Sequence, residues 1–276
     1  MVLIVQPEIT KEVVEYIKNS PPPHRIHFAT THSEALKRNK GSSFIGSFSI
    51  PFSNTVEPFF NSVTGLDLFP NKVDPVKKWR SIKDEDEFNI IAGFISKFKN
   101  LVFLKDALAL SAAFDFNKID NETHTKIGKL RKRTKFECDL RAKEILVNRI
   151  PEKIKNIPFY CESDVICAIP SGRSFLKEIA GSVSKGLKIS DVSDCIRWTD
   201  KRENIIDTPI DKKWEKLEES GLVVDADLTG KTVLLLDDLY QSGITMQYVA
   251  MKLQKAGAVR IYGLSIVKSL NDTDNV

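Results

Sequence analysis

VLLLDDLYQSGIT, residues 233–245, is the stretch of sequence that decides the fold. Its first four residues, Val233–Leu236, are apolar and begin with a β-branched side chain, which is typical of a short buried parallel strand. Two acids and a Ser-Gly turn follow, and the spacing then predicts a helix over 245–256 that ends at Gly257. The pattern therefore predicts one strand–turn–helix unit of an α/β sheet.

The turn after this strand combines acids, hydroxyls and a glycine. Ligands of open α/β sheets bind beyond the carboxyl ends of the strands, and a helix N-terminus attracts anions. Gly243 lets the backbone close around an anion, and Ser242 and Thr245 add hydroxyl donors. Asp237 and Asp238 can accept hydrogen bonds from vicinal hydroxyls. The turn predicts a site for a diol joined to a phosphate, such as ribose 5-phosphate; the alternative is an ordinary turn with a solvated acid pair.

The apolar strand, the acid pair and the Ser-Gly-x-Thr turn together resemble the phosphoribosyl-pyrophosphate (PRPP) binding motif of type I phosphoribosyltransferases, nearest to the ComF-like branch. The resemblance implies an α/β fold: a type I phosphoribosyltransferase-like parallel sheet flanked by helices, with an additional N-terminal α+β region. It implies that Asp237 and Asp238 are catalytic and contact Mg²⁺, directly or through ribose hydroxyls or water. It assigns phosphate binding to Gln241, Ser242, Gly243, Ile244 and Thr245.

The turn differs from the family motif at three positions. Gln241 stands where the family usually has Thr, Tyr240 is large for a turn, and Ile244 is bulkier than the usual small residue. Backbone donors survive these changes, so phosphate binding remains the prediction.

A second strand–turn–helix pattern precedes the first by about 65 residues. The run 164–169 predicts a strand, and the spacing after it predicts a helix over 174–184. A Gly-containing turn between the two elements is a second candidate anion site. In the resembled family the corresponding loop holds pyrophosphate, which implies that role for Ser171, Gly172 and Arg173.

Residues 199–223 are polar and charged and show no long core pattern, which predicts a long loop. In the resembled family a flexible loop here closes over PRPP. The resemblance therefore implies that Arg197, Lys201 and Arg202 belong to such a loop; the alternative is a plain surface excursion.

The stretch 126–135 is strongly basic. One interpretation is a solvated helix face whose charges pair with nearby acids, and the other is a strip that contacts phosphate or nucleic acid. The ComF-like branch has a comparable basic helical segment before its first core strand. The cations of the stretch are Lys126, Lys129, Arg131, Lys132, Arg133 and Lys135.

The first 118 residues belong to no family that we recognise. Residues 84–98 have acids at the start and one apolar stripe, which predicts a helix. The run 101–114 is apolar nearly all round and predicts a buried helix. We predict two units: residues 1–118 as a lid or partner-binding domain, and residues 119–276 as the phosphoribosyltransferase-like domain.

The 276 residues carry a mild net charge of +4, with 42% hydrophobic and 28% charged residues, as in soluble globular proteins. The four cysteines form no C-x-x-C pair, which favours thiols in a reducing compartment. No apolar run approaches membrane-spanning length. We therefore expect a cytoplasmic protein without a membrane partner.

Three functions stay open from the sequence. The first is an enzyme that transfers the phosphoribosyl group of PRPP with Mg²⁺. The second is a non-catalytic protein on the same fold: a regulator, a ComF-like DNA-uptake factor or a defence or toxin effector, with nucleic acid bound through residues 126–135. The third is an interaction module that forms a homo-oligomer or binds a protein through residues 1–118.

Overall fold

The computed structural model describes residues 4–39, 43–172, 174–200 and 208–271. The helices are α1 (Lys11–Asn19), α2 (Val56–Thr64), α3 (Glu85–Phe98), α4 (Lys126–Phe136), α5 (Leu140–Lys155), α6 (Phe175–Leu187), α7 (Ile210–Glu219) and α8 (Ile244–Lys255). The strands are β1 (Arg25–Ile26), β2 (Leu36–Arg38), β3 (Gly46–Ile50), β4 (Phe69–Pro70), β5 (Lys78–Ile82), β6 (Val102–Leu104), β7 (Leu110–Ala113), β8 (Val165–Ala168), β9 (Ser190–Asp191), β10 (Ile196–Trp198), β11 (Leu222–Val224), β12 (Thr232–Tyr240) and β13 (Arg260–Lys268).

The main sheet has the strand order β1-β6-β7-β13-β12-β8-β9 within the described ranges. Strands β7, β13, β12, β8 and β9 run parallel. At one edge, β6 pairs antiparallel with β7, and β1 pairs antiparallel with β6. β12 lies in the middle because both of its edges are paired, with β13 and with β8. The prediction of an α/β fold with a parallel sheet flanked by helices is confirmed.

Helices cover both faces of this sheet, because the side chains of β12 alternate between the faces and are apolar on both. Val233 and Leu235 point to one face, where α1, α7 and α8 pack. Leu234 and Leu236 point to the other face, where α5 and α6 pack. All four side chains are 0–1% exposed, so a continuous apolar run is the sequence expected for this strand.

A smaller antiparallel sheet, in the order β2-β3-β5-β4, is built from described residues up to Ile82. Phenylalanines join it to α2, α3 and the main sheet. Phe48 of β3, for example, stacks on Phe60 of α2 with 4.9 Å between the ring centroids, and the ring centroid of Phe59 in α2 lies 5.4 Å from that of Phe103 in β6. Helix α3 begins one residue later than the predicted span, because Asp84 is its N-cap and accepts a hydrogen bond from the backbone N–H of Glu87 at 2.9 Å.

The prediction of a buried helix over 101–114 is wrong. This run forms β6 and β7, which pair antiparallel, with a turn between them that contains Lys105 and Asp106. A strand covered on both faces is as uniformly apolar as a buried helix, so periodicity does not distinguish the two.

The prediction that 199–223 is a long loop, because it shows no long core pattern, is also wrong in part. Helix α7 begins at Ile210, and its Trp214 and Leu217 are buried against α8. Two buried side chains one turn apart are too short a pattern to stand out in a charged segment.

The first 118 residues supply β1, β6 and β7 to the main sheet. The division into units at residue 118 stays a prediction about which parts fold on their own. No helix among the described residues is long and apolar enough to cross a membrane.

Candidate functional site

The carboxyl edge of the main sheet brings the two predicted turns together. In the pairing of β12 with β8, Leu236 lies opposite Ala168, and the N–H of Ile169 donates to the carbonyl of Leu236 at 2.9 Å. The turn after β8 and the acids of β12 therefore leave the sheet side by side. Parallel neighbours whose turns meet at one edge form the usual ligand crevice of α/β sheets.

The turn into α8 depends on a glycine. Strand β12 continues through both acids to Tyr240, and Gly243 is the N-cap of α8 with φ of 76°. That left-handed conformation suits glycine. The first N–H groups of α8 lack carbonyl partners within the helix and carry the positive end of its dipole, so the turn 241–245 has the local structure of an anion site.

Tyr240 is buried directly beneath this turn. A Cβ added to Gly243 would lie 2.1 Å from the Tyr240 hydroxyl oxygen, so the ring fills the space under the turn. The hydroxyl donates to a carboxylate oxygen of Asp106 at 3.1 Å, and Lys18 Nζ donates to the hydroxyl at 3.4 Å. A large residue here is thus a support, held by groups from α1 and the β6–β7 turn.

Burial sets the protonation of this support. It raises the pKa of Asp106 and, together with the adjacent Asp106, raises the pKa of Tyr240 well above its ordinary value. Tyr240 therefore keeps its proton at neutral pH and acts as the donor in the pair.

Asp238 is held by two cations of α4. Arg131 Nε and Nη2 lie 2.9 and 2.6 Å from Asp238 Oδ2, and Lys135 Nζ lies 2.6 Å from the same oxygen. Burial alone would raise the pKa of Asp238, but the two positive charges outweigh it and hold that pKa below its ordinary value. Asp238 is therefore ionised at neutral pH.

Asp237 lies beside this ion pair. Its Oδ1 accepts a hydrogen bond from the backbone N–H of Asp238 at 2.8 Å, and the residue is partly exposed. The two predicted acids consequently have different surroundings, because Asp238 is buried against two cations whereas Asp237 reaches solvent.

The predicted pyrophosphate turn lies at the same edge. Ser171 and Gly172 are exposed, and a Cβ on Gly172 would meet no atom within 4 Å, so the space above this turn is open. The indole N–H of Trp198 donates to the carbonyl of Pro170 at 3.0 Å and ties β10 to this turn. Arg173 lies outside the described residues.

The predicted flexible loop is only partly described. Arg197 belongs to β10, which pairs antiparallel with β11, and its Nη2 lies 3.0 Å from a carboxylate oxygen of Asp225. Arg197 therefore lies in a strand directly before the segment 199–223, and its part in a flexible loop stays a prediction. Lys201 and Arg202 lie outside the described residues.

A metal site formed by side chains alone does not fit this edge. Among the described residues, no group of three or more His, Cys, Asp or Glu side chains is arranged to hold a metal ion. The two cations on Asp238 repel a divalent ion, so this carboxylate is a poor ligand for one while they stay in place. Mg²⁺ would therefore need oxygen ligands from a bound molecule.

Two groups of side chains at this site lie outside the sequence predictions for it. The first is Arg131 and Lys135 of the basic stretch, and their spacing of four residues on a helix is the signal that places them on one face. The second is Lys18 and Asp106; Asp106 and its neighbour Lys105 are the charged residues in the apolar run 101–114.

The site as a whole belongs to an α/β protein with two strand–turn–helix units at one sheet edge. No protein-family model and no curated protein matches the sequence. Solved structures that align with it include several phosphoribosyltransferases.

One is the adenine phosphoribosyltransferase of Leishmania donovani, at 13% identity and a TM-score of 0.32; the alignment covers 49% of this chain and 56% of that enzyme. A second is the adenine phosphoribosyltransferase of Thermoanaerobacter pseudethanolicus, at 20% identity and a TM-score of 0.32; the alignment covers 48% of this chain and 83% of that enzyme. A third is the adenine phosphoribosyltransferase of Trypanosoma brucei in complex with AMP, pyrophosphate and ribose-5-phosphate. Its identity is 11% and its TM-score 0.35, and the alignment covers 55% of this chain and 82% of that enzyme. Identities and TM-scores this low do not indicate a function for this chain.

Proposed function

We propose that the chain binds PRPP or a related ribose 5-phosphate compound and transfers its phosphoribosyl group. One observation supports this function most directly: the acid pair, the Gly243 turn and the Ser171 turn leave neighbouring parallel strands at the same sheet edge. Acceptors for hydroxyls and donors for phosphate are then adjacent, as a ribose phosphate requires.

Each group has a defined task in this proposal. Asp237 and Asp238 accept hydrogen bonds from the ribose hydroxyls, and the turn 241–245 donates backbone N–H groups to the 5-phosphate. Ser171 and Gly172 leave room for the pyrophosphate. In the transfer, a nucleophile attacks the anomeric carbon, the bond from that carbon to a pyrophosphate oxygen breaks, and pyrophosphate leaves. Rate acceleration comes from positioning and from donors aimed at the leaving group.

Calorimetry with PRPP and Mg²⁺ tests binding. Asp237→Asn removes one carboxylate without breaking the ion pairs of Asp238, and we expect it to weaken PRPP binding about tenfold or more, as for loss of a hydrogen bond to a charged group. Asp67→Asn is the matched control, because Asp67 is an exposed acid far from Asp237 in the sequence. It should leave PRPP binding unchanged. An absence of heat with the unaltered protein would refute the proposal.

Turnover needs its own assay. Release of pyrophosphate from PRPP would be measured with and without a mixture of nucleobases. Binding without release would favour the non-catalytic protein on the same fold. Mg²⁺, closeness to the ComF-like branch and a cytoplasmic location stay predictions, and Mg²⁺ would be held through oxygens of the ligand.

A second candidate function is nucleic-acid binding. Lys126, Lys129 and Lys132 are exposed and recur every three residues of α4, and Phe136 beyond them is 61% exposed. Such a strip supports binding to phosphates and a base. In filter-binding titrations with DNA, replacing the three lysines by Gln should lower the log–log salt slope by about 0.9 for each phosphate that is no longer neutralised. Equal slopes, or no binding, would contradict it.

A further inference from the structure

The two cations that contact Asp238 carry more positive charge than its single carboxylate neutralises. Arg131 and Lys135 both direct their donors to the single oxygen Oδ2 of Asp238. One negative charge thus faces two positive charges. The arrangement is largely removed from water, because the side chains of Arg131 and Asp238 are 5% and 12% exposed.

Helix α4 gains nothing by itself from this spacing. Arg131 and Lys135 are four residues apart, and like charges in that relation destabilise a helix. Neighbouring Arg133 instead pairs with its own acid, Asp139, which shows how a cation of this helix is neutralised locally. A buried arginine and a partly buried lysine that share one acid are suited to receive a second anion.

The position of the pair identifies where that anion would be. Asp238 follows Leu236 of β12, and the turn with Ser171 and Gly172 leaves the neighbouring strand at the same edge. Arg131 and Lys135 contact the carboxylate of Asp238 at this edge. An anion that replaced this carboxylate would therefore lie at the edge where the Ser171 turn also leaves the sheet.

We propose that Arg131 and Lys135 bind a second anionic group of the ligand, carried at the anomeric carbon of the ribose, and that Asp238 occupies these cations as an internal substitute until the ligand arrives. This inference rests on the proposed function. The diphosphate of PRPP takes the place of the carboxylate on the two cations, and Asp238 turns to the ribose hydroxyls. The exchange makes the site selective for a ribose 5-phosphate that carries an anionic leaving group.

Lys135→Gln tests the exchange, because Lys135 is the more exposed cation, with its side chain 26% exposed, and Arg131 still neutralises Asp238 in the variant. PRPP and ribose 5-phosphate are titrated separately by calorimetry. We expect the variant to lose about tenfold in affinity for PRPP, the effect of one charge-assisted hydrogen bond, while affinity for ribose 5-phosphate stays unchanged. Lys135→Arg should restore the preference for PRPP.

Lys185→Gln is the matched control: it removes the same charge from an exposed position of another helix, α6. It should leave both affinities unchanged. If the unaltered protein binds neither ligand, the proposed function itself fails. If it binds PRPP and Lys135→Gln weakens both ligands equally, or neither, the inference is wrong and the ion pair only stabilises the fold. Thermal unfolding of each variant separates loss of binding from loss of folding.

Discussion

At the residue scale, Gly243 and Tyr240 depend on each other. The turn can lie on the ring only because residue 243 has no Cβ, and the ring stays in place because its hydroxyl bonds Asp106. Gly243→Ala adds both a left-handed backbone penalty and a clash with the hydroxyl at 2.1 Å. We expect a loss of stability above the roughly 1–2 kcal/mol of the backbone term alone, together with loss of phosphate binding. Urea unfolding and calorimetry measure the two effects.

Gly65→Ala isolates the backbone term. Gly65 has a nearly identical φ of 71°, but an added Cβ would meet no atom within 4 Å. The difference between the two variants is therefore the cost of displacing Tyr240. Equal losses would mean that the ring does not support the turn.

His27 gives the molecule a pH dependence of its own. The ring is 4% exposed, Nδ1 lies 2.7 Å from Thr30 Oγ1, and Nε2 has no hydrogen-bond partner among the described residues. Burial, with the charges of Arg25 and His32, lowers the pKa of His27 from 6.5 to about 4. Between these values the unfolded chain binds a proton that the folded protein does not, so the free energy of unfolding falls as pH drops from 6.5 to about 4.

His27→Leu should remove this part of the pH dependence. The measurement is the free energy of urea unfolding above pH 6.5 and near pH 4 for both proteins. Other groups titrate in the same range, so the decisive quantity is the difference between the two proteins. A difference that stays constant with pH would show that His27 is protonated alike in the folded and unfolded chain.

At the scale of elements, α7 changes the interpretation of the charged segment before β11. Trp214 is 3% exposed, and its ring centroid lies 5.2 Å from that of Tyr248 on α8. We expect Trp214→Ala to cost about 3–5 kcal/mol, the usual effect of truncating a buried aromatic side chain. Exposed Glu215→Ala in the same helix is the control and should cost much less. A small effect of Trp214→Ala in chemical unfolding would mean that α7 is not packed in solution.

Local sequence patterns predicted the elements whose signals are local. The strand–turn–helix unit from β12 to α8 and the helix α3 depend on residues a few positions apart, and both are present. The run 101–114 was wrongly assigned because uniform burial removes periodicity. The bond from Arg131 to Asp238 joins residues 107 apart, and that from Tyr240 to Asp106 spans 134. No local pattern contains such long-range bonds, so the polar surroundings of the candidate site emerged only from the folded chain.

At the scale of the whole molecule, the main sheet joins the two halves of the sequence. β7 is the parallel neighbour of β13, and Tyr240 takes hydrogen-bond partners from both α1 and the β6–β7 turn. A protein of residues 119–276 would lack β7. One edge of β13 would then have no strand partner, and its backbone hydrogen-bonding groups would be unpaired there. We therefore expect this fragment alone to lack a cooperative thermal transition, because an unpaired hydrophobic strand edge promotes aggregation.

Mixing the fragments tests whether the missing strands are the cause. If residues 1–118 complete the sheet, adding that fragment to residues 119–276 should restore secondary structure by circular dichroism and a single species by size-exclusion chromatography. If residues 119–276 instead unfold cooperatively without help, they form an autonomous domain, and the division predicted at residue 118 would hold. In that case β7 would be an added strand on a complete sheet, and the support of Tyr240 by Asp106 would be dispensable for folding, leaving ligand binding as the property that it serves.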